Sequence, residues 1–338
     1  MLKIALLFVG LLTLGFLVWH IGPERIYDAA SQLGPLALLV LLIPSTFMYV
    51  IDAYGWKITL GPSAKHIPFW RVLAIRTAGE VVNMTTPTAY VGGEPIKAYL
   101  LTKHHVPMVK GLASVVIAKT TMTIAEVVFI LLGIALAFWR VGADGSGQTL
   151  AAALVSVGLL VLVTAALVFV QQQGLFTSLL KFARKIGLKI HYFEVREKKL
   201  RSLDRTILDF YRDNRLTFCS SIGLFFAGWM AEAVEVYVII YFLGGPAMAL
   251  SAISISALSV FIKSGTFFIP GSLGAQDGGN ILLLRAFGYS DVTGITFALL
   301  RRFRELVWIG LGLLCLTLAG GRAAVIRESR ADDLENRS

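Results

Sequence analysis

Long apolar runs alternate with short polar segments along most of this 338-residue chain. A membrane-spanning helix needs about 20 mostly apolar residues. Six runs fit that length: 2–19, 35–60, 107–139, 148–172, 215–243 and 290–319. We interpret the first run as an uncleaved span, because no small-residue cleavage site follows it directly. The pattern predicts an all-α, polytopic membrane protein that forms one integral membrane domain over residues 1–338.

Two further apolar regions, 68–103 and 250–287, are broken by glycine, proline and a carboxylate. One constant shift in numbering, here called the repeat offset, aligns the two breaks without a gap and places Pro87 on Pro270 and Glu94 on Asp277. Each region fits a re-entrant hairpin of two half-helices, the usual setting for irregular backbone at membrane depth. The predicted tip and gating residues are Pro87, Gly92, Gly93, Glu94, Pro270, Gly271, Gly274 and Asp277.

Basic residues in the loops predict the orientation of the chain. The segment 174–214 is basic and amphipathic, so the positive-inside rule places it in the cytoplasm, together with both termini and the tail 320–338. Spans two and five then run in opposite directions. The halves 35–139 and 215–319 therefore form a predicted inverted-topology repeat, which gives a transporter two related gates on opposite faces.

Composition narrows the function classes. The chain is 56% hydrophobic and 15% charged, which excludes a soluble domain. Its net charge of +10 lies mainly in loops, so it reports topology rather than nucleic-acid binding. The two cysteines lie inside apolar runs, and neither a P-loop nor a hydrolase motif is present. We therefore expect no metal site, no cofactor and no enzymatic activity.

Fifteen ionisable residues lie inside the predicted spans and hairpins. An isolated charge at the bilayer centre costs about 2.5–3.5 kcal/mol, so these side chains must pair or face a wet cavity. Local pairs are available at a spacing of four, such as Arg76 with Glu80 and Arg301 with Glu305. The alternative is a polar cavity for an anionic headgroup, since guanidinium groups suit phosphate oxygens. The predicted headgroup residues are Arg301, Arg302, Arg304, Lys119 and Lys263.

The acidic residues have two interpretations. Glu94 and Asp277 either cap the half-helices that follow them or couple gating to protons. The remaining acids either pair with the bases or couple transport to an ion: Asp52, Glu80, Glu126, Glu232, Glu235 and Glu305.

The sequence resembles the transmembrane region of lysylphosphatidylglycerol synthases, also called the UPF0104 or flippase-like membrane proteins. The resemblance covers about residues 5–320 and is carried by PTAYVGGEPIKAYLL from Pro87, the helix at Lys119-Thr120, and FIPGSLGAQDGGNILLLRAFG from Phe268. Asp277 departs mildly from the glutamate usual in the family. The resemblance implies lipid translocation without aminoacyl transfer, and an association with envelope, isoprenoid or hopanoid lipids.

We predict a lipid translocase for a lipid with an anionic or phosphate-bearing headgroup, in the bacterial inner membrane. The alternatives are a membrane enzyme of lipid or glycolipid synthesis, an ion-coupled small-molecule carrier, and an accessory subunit of a lipid-synthesis complex. The expected partners are the lipid substrate, anionic inner-leaflet lipids and lipid-biosynthesis enzymes. The lipid, the direction, the energy source and the oligomeric state stay open.

Overall fold

The structure is a computed structural model that describes residues 19, 22–86, 92–141, 158, 161–166, 168–171, 174–178, 197–266, 272 and 274–319. The regular elements in this part of the chain are helices, and three of them are long and apolar enough to cross a membrane. The prediction of an all-α polytopic membrane protein is confirmed.

Nine α-helices and one short 3₁₀ helix are delimited in the described ranges. They are α1 Pro23–Thr59, the 3₁₀ helix Gly61–Ala64, α2 Phe69–Thr85, α3 Gly93–Thr102, α4 Met108–Val141, α5 Glu197–Asp213, α6 Arg215–Phe242, α7 Ala249–Gly265, α8 Ala275–Ala286 and α9 Asp291–Ala319.

Four of the six predicted spans have a matching helix. The run 35–60 is the part of α1 after Gly34, and the runs 107–139, 215–243 and 290–319 are α4, α6 and α9. The run 2–19 lies outside the described residues apart from Trp19, and 148–172 is described only as short helical pieces. The two interrupted regions contain the helix pairs α2–α3 and α7–α8.

A break divides α1 at Gly34, where φ is +75° and ψ is 163°. Glycine has no Cβ and adopts this left-handed φ readily. The next residue, Pro35, has no N–H to donate. Gly34 therefore separates a first stretch from the 26-residue spanning helix Gly34–Thr59.

The repeat offset recurs in the backbone. The shift that takes Pro87 to Pro270 also takes Met108, the first residue of α4, to Asp291, the first residue of α9. It takes Thr59, the last residue of α1, to the last residue of α6. The hydrogen bonds that end the short helices also coincide. After α3, His104, His105 and Val106 donate to Leu101, Thr102 and Leu101, and after α8 the equivalents Phe287, Gly288 and Tyr289 donate to Leu284, Arg285 and Leu284.

The packing of the two halves is reciprocal. α2 packs against α9, and its counterpart α7 packs against α4, the counterpart of α9. α1 packs against its own counterpart α6, and the two run antiparallel. Asp52 of α1 contacts the position of Gly228, whereas Gly55, further along α1, accepts a 3.1 Å hydrogen bond from Ser221, which lies earlier in α6.

Two large apolar clusters pack the molecule. One joins α1 at Trp56, α6 at Phe225 and α9 at Ile309, together with α2, α3 and α4. The other joins α1 at Leu41 and α9 at Leu300 to the C-terminal part of α6, α7 and α8. The buried charged residues of these three helices lie between the two clusters along each helix: Asp52 on α1, Glu232 and Glu235 on α6, and Arg301, Arg302, Arg304 and Glu305 on α9. Large apolar side chains elsewhere on these helices are exposed, as expected of a surface that faces lipid.

The basic segment 174–214 contains an ordered helix, α5. The sequence predicts amphipathic character early in this segment, but most of that stretch lies outside the described residues. α5 buries Leu203 and Ile207 against Ala113 and Ile117 of α4. The buried Asp204 accepts hydrogen bonds from the backbone of Phe176 and Thr177, while the basic side chains of the helix are exposed. α5 is therefore fastened to α4 by its apolar face.

Candidate functional site

A layer of charged side chains lies where the two halves meet. Arg301, Arg302, Arg304 and Glu305 occupy the middle of the 29-residue helix α9, and all four are buried. Charges at this depth must find partners, because apolar surroundings solvate them poorly. The described helices around α9 supply those partners.

Buried arginines bind carboxylates on neighbouring helices. Arg76 of α2 lies 2.5 Å from Asp52 of α1. Arg304 of α9 lies 2.8 Å from Glu235, which stands on α6 at the position equivalent to Asp52. The two carboxylates are thus equivalent in the repeat, but the two arginines are not, because the repeat offset places Arg76 on Ser259. Both ion pairs are buried, so removing one partner would leave a costly unpaired charge.

Arg301 makes a third tie. Its guanidinium binds Glu232 of α6 and donates a 2.9 Å hydrogen bond to Ser259 of α7. The local pair Arg301–Glu305 is not formed, and Arg302 takes Glu305 instead at 2.6 Å. Arg76 likewise binds Asp52 rather than Glu80. The local pair available at a spacing of four is not formed in either case, because each arginine binds a carboxylate on another helix.

The second hairpin is fastened to α9 by Arg302. Its Nε and Nη2 atoms bind both carboxylate oxygens of Asp277, at 2.8 and 2.9 Å, in a bidentate pair. Asp277 Oδ2 also accepts a 3.0 Å hydrogen bond from the N–H of Gly274, the residue before α8, whose φ is +74°. Asp277 thus lies in the first turn of α8 rather than before the helix as predicted, and it combines a hydrogen bond to the backbone at the start of the helix with an ion pair.

The first hairpin holds its tip carboxylate within itself. Lys97 of α3 lies 2.9 Å from Glu94 and 3.6 Å from Glu80, and Asn83 of α2 donates a 3.0 Å hydrogen bond to Glu94. The N–H of Gly93 donates to Asn83 at 2.6 Å. Glu94 thus bridges the two half-helices, and no ion pair within 4.0 Å joins it to α4 in the described residues.

The half-helices of this hairpin approach closely. A Cβ added at Gly93 would lie 1.9 Å from the carbonyl oxygen of Gly79, and one at Gly79 would lie 2.3 Å from the side chain of Lys97. Only glycine permits this approach. The sequence pattern assigned Gly93 to the tip but did not identify Gly79, Asn83 or Lys97 as its partners. The signal available in the sequence was the presence of two polar residues, Asn83 and Lys97, inside an apolar region.

A cavity of about 80 Å³ opens between the halves, with room for several water molecules. Tyr49 and Trp308 stack on one wall with ring centroids 3.7 Å apart. Three methionines and Trp229 make the wall amphipathic. The lining residues are Met48, Tyr49, Asp52, Arg76, Glu80, Met84, Met122, Gly228, Trp229, Glu232, Lys263, Arg304, Glu305 and Trp308.

A second cavity of about 30 Å³ lies beside the first hairpin and shares Arg76, Glu80 and Met122 with the larger one. Its lining contains three bases and two acids. The residues are Trp56, Arg76, Glu80, Glu94, Lys97, Val115, Ala118, Lys119, Met122 and Phe225.

Some of the predicted headgroup residues line one of the two cavities and others do not. Arg304 and Lys263 line the larger cavity and Lys119 lines the smaller one, whereas Arg301 and Arg302 line neither of these two cavities. Among the predicted coupling acids, Asp52, Glu80, Glu232 and Glu305 line the larger cavity. Glu235 is fully buried against Arg304, and Glu126 accepts a hydrogen bond from Ser264 of α7. The tip residues Pro87, Pro270 and Gly271 lie outside the described residues.

Comparison with known proteins identifies the family. A model of the lysylphosphatidylglycerol synthase transmembrane region matches residues 1–313. A UPF0104 membrane protein of Methanothermobacter thermautotrophicus is 24% identical over 303 residues, which cover 85% of this chain and 86% of that protein. A UPF0104 membrane protein of Pyrococcus horikoshii is 23% identical over 335 residues, covering 95% and 96%. No solved structure matches. The chain belongs to the family of the lysylphosphatidylglycerol synthase transmembrane region.

Proposed function

We propose that this protein is a lipid translocase that moves a lipid with an anionic or phosphate-bearing headgroup between the leaflets of the bacterial inner membrane. The observation that carries this proposal is the charged, amphipathic cavity between the two halves. A polar headgroup needs such a lining at membrane depth, while the exposed apolar surfaces suit the acyl chains. The family relationship is in line with a lipid-related role.

The depth of the second hairpin supports the proposal. Arg302 is the twelfth residue of α9, about 17 Å along the helix axis. The hydrocarbon core of a bilayer is about 30 Å thick, so this level is close to its midplane. Asp277, near the tip of the α7–α8 hairpin, binds there. In our proposal both hairpins are re-entrant, and they open the cavity to opposite leaflets in turn.

The antiparallel packing of α1 and α6 supports the inverted arrangement of the halves. We place both termini and the basic segment 174–214 in the cytoplasm by the positive-inside rule. The exposed basic side chains of α5 would then lie at the anionic inner leaflet. Labelling of single cysteines at the termini in sealed, oriented vesicles tests this orientation, and labelling from the periplasmic side would contradict it.

A leaflet assay in proteoliposomes tests the function. The protein is reconstituted with a fluorescent, phosphate-bearing lipid, and a membrane-impermeant quencher reports how fast the lipid crosses. The wild-type protein should make the lipid cross faster than it does in protein-free vesicles. The crossing of a neutral diacylglycerol analogue should be accelerated less. No acceleration for any phosphate-bearing lipid would contradict the proposal.

A matched pair of variants ties this activity to the cavity. Met122 lies in the wall shared by the two cavities, whereas Val128 is 46% exposed on the same helix. Met122→Trp should fill the cavity and slow crossing by about tenfold or more, the equivalent of a barrier increase above about 1.4 kcal/mol. Val128→Trp adds the same side chain to the outer surface and should leave the rate unchanged.

An ion-coupled carrier for a small solute is a second candidate, and the modest size of the cavity favours it. Uptake of a soluble solute into proteoliposomes, driven by a proton gradient and abolished by Met122→Trp, would support this candidate. The leaflet assay under the same gradient separates the two functions.

A further inference from the structure

Lys119 and Arg302 occupy equivalent positions, yet they have different surroundings. The repeat offset places Lys119 of α4 on Arg302 of α9. Each is the twelfth residue of its helix, and each helix packs against the adjacent hairpin of its own half. The two cations therefore stand at the same place in the two halves.

Two carboxylates bind Arg302, but the residues at the equivalent positions of the first half do not bind Lys119. Glu305 lies 2.6 Å from Arg302, but the position equivalent to Glu305 is Met122. The counterpart of Asp277 is Glu94, which binds Lys97 and Asn83 within its own hairpin. In the described part of the chain, no carboxylate lies within 4.0 Å of the Lys119 ammonium.

Arg76 lines the second cavity together with Lys119, and one of its donor groups has no acceptor in the described part of the chain. Arg76 is 6% exposed, and its Nη2 binds Asp52, but its buried Nη1 has no hydrogen-bond partner among the described residues. Buried donors are rarely left unpaired, because each costs free energy. Lys119 and Arg76 both line the second cavity, which joins the larger cavity through Arg76, Glu80 and Met122.

We propose that the phosphate oxygens of the transported headgroup bind Lys119 and Nη1 of Arg76 in the second cavity. The ligand anion takes the place beside Lys119 that the Glu305 carboxylate takes beside Arg302. The three arginines of α9 hold helices together, and the first half supplies the anion site. This inference rests on the proposed function and names the part of the cavity that recognises the phosphate.

The chain offers a way to fill this site from within. Met122→Glu places a carboxylate three residues from Lys119, at the spacing that Glu305 has from Arg302. The new carboxylate competes with the ligand anion without removing either cation. Met122→Gln is the matched control, since it has the same shape and no charge. Lys119→Gln removes the cation, and Lys119→Arg restores it.

The test measures binding to the purified protein in detergent by calorimetry. The probes are short-chain phosphatidic acid, short-chain phosphatidylglycerol, the matching neutral diacylglycerol and inorganic phosphate. Loss of a hydrogen bond to a charged group weakens binding by about tenfold or more. Lys119→Gln and Met122→Glu should each show this loss for the phosphate-bearing lipids, Met122→Gln should lose less affinity than Met122→Glu, and Lys119→Arg should recover part of the affinity that Lys119→Gln loses. Elution volume and melting temperature verify that each variant is folded.

The outcomes separate this inference from the proposed function. If wild type binds the lipids and Lys119→Gln binds them equally well, the anion site is elsewhere and lipid translocation stands. If inorganic phosphate binds as tightly as the lipids and Lys119→Gln abolishes both, the site is supported and its ligand is a free phosphate. If wild type binds none of the phosphate-bearing probes, the site is overturned, and the leaflet assay decides the function independently.

Discussion

The two hairpins share a backbone plan and differ in what holds their tips. In the second hairpin, Asp277 is bound bidentately by Arg302 of α9, so the tip is fastened to a long helix. In the first hairpin, Glu94 is held by Lys97 and Asn83 of the hairpin itself. α4 contributes Lys119, which has no such tie. Arg302 thus holds its hairpin, whereas its counterpart Lys119 is the cation that we propose binds the ligand.

In the proposed transport cycle, the two hairpins should not move equally easily. Moving the tip of the second hairpin away from α9 breaks the ion pair of Asp277 with Arg302, whereas Glu94 at the tip of the first hairpin keeps its partners Lys97 and Asn83 when that tip moves. We expect the first hairpin to be the more mobile gate. Hydrogen exchange in nanodiscs, compared between α3 and α8, would show the faster exchange in α3.

We expect the largest effect from a substitution that breaks the ion pair between Arg302 and the second hairpin. Arg302→Gln leaves Asp277 and Glu305 without their partner, and removal of one member of a buried pair costs about 3–5 kcal/mol. Lys119→Gln, the equivalent change in the first half, should lower the free energy of unfolding by less than about 1 kcal/mol. Thermal unfolding in detergent measures both. Equal losses of unfolding free energy would contradict the inference that Arg302 stabilises the fold whereas Lys119 does not.

An intermediate effect is expected from the close approach in the first hairpin. Gly93→Ala forces a Cβ into the carbonyl of Gly79, and such overpacking costs about 1–3 kcal/mol. Gly278→Ala in α8 is the control, because nothing lies within 4 Å of its added Cβ. It should be neutral or stabilise the helix by up to about 1 kcal/mol. A neutral Gly93→Ala would show that the half-helices of the first hairpin are not in close contact.

The smallest effect concerns the ends of the short helices. His105 and Gly288 occupy equivalent positions at φ 59° and 85°. A left-handed residue with a Cβ is strained by about 1–2 kcal/mol, part of which is offset by the greater freedom of glycine in the unfolded chain. His105→Gly should raise the free energy of unfolding by about 0.5–1 kcal/mol, and Gly288→Ala should lower it. Changes of the same sign would indicate that the two turns are not equivalent.

The apolar runs and the repeat offset were enough to predict most of the fold. They place α1, α4, α6 and α9, both helix pairs, and the equivalence of Glu94 with Asp277. These features are local or repeat along the chain, so the sequence carries them directly.

The partners in the charged layer were not predictable in the same way. Arg301 and Glu305 have the spacing of a helical pair, but Arg301 points to Glu232 and Ser259 on other helices. Which face of α9 meets α6 or α7 is decided by packing over the whole molecule. Met122 is the residue equivalent to Glu305, and its identity becomes informative only once the ion pair between Arg302 and Glu305 is known.

Thiol accessibility is the most direct test of the proposed hydrated cavity at membrane depth between the halves. In a background with Cys219 and Cys315 replaced by serine, single cysteines are placed at Met122 and Met84, which line the larger cavity, and at Val128, which is exposed on the outer surface of α4. A membrane-impermeant, charged thiol reagent is then applied to the protein in vesicles. We predict that cysteines at Met122 and Met84 react and that the cysteine at Val128, surrounded by lipid, does not. Reaction of the cysteine at Val128 with protection of those at Met122 and Met84 would show that the cavity is closed to water and would contradict the proposed function.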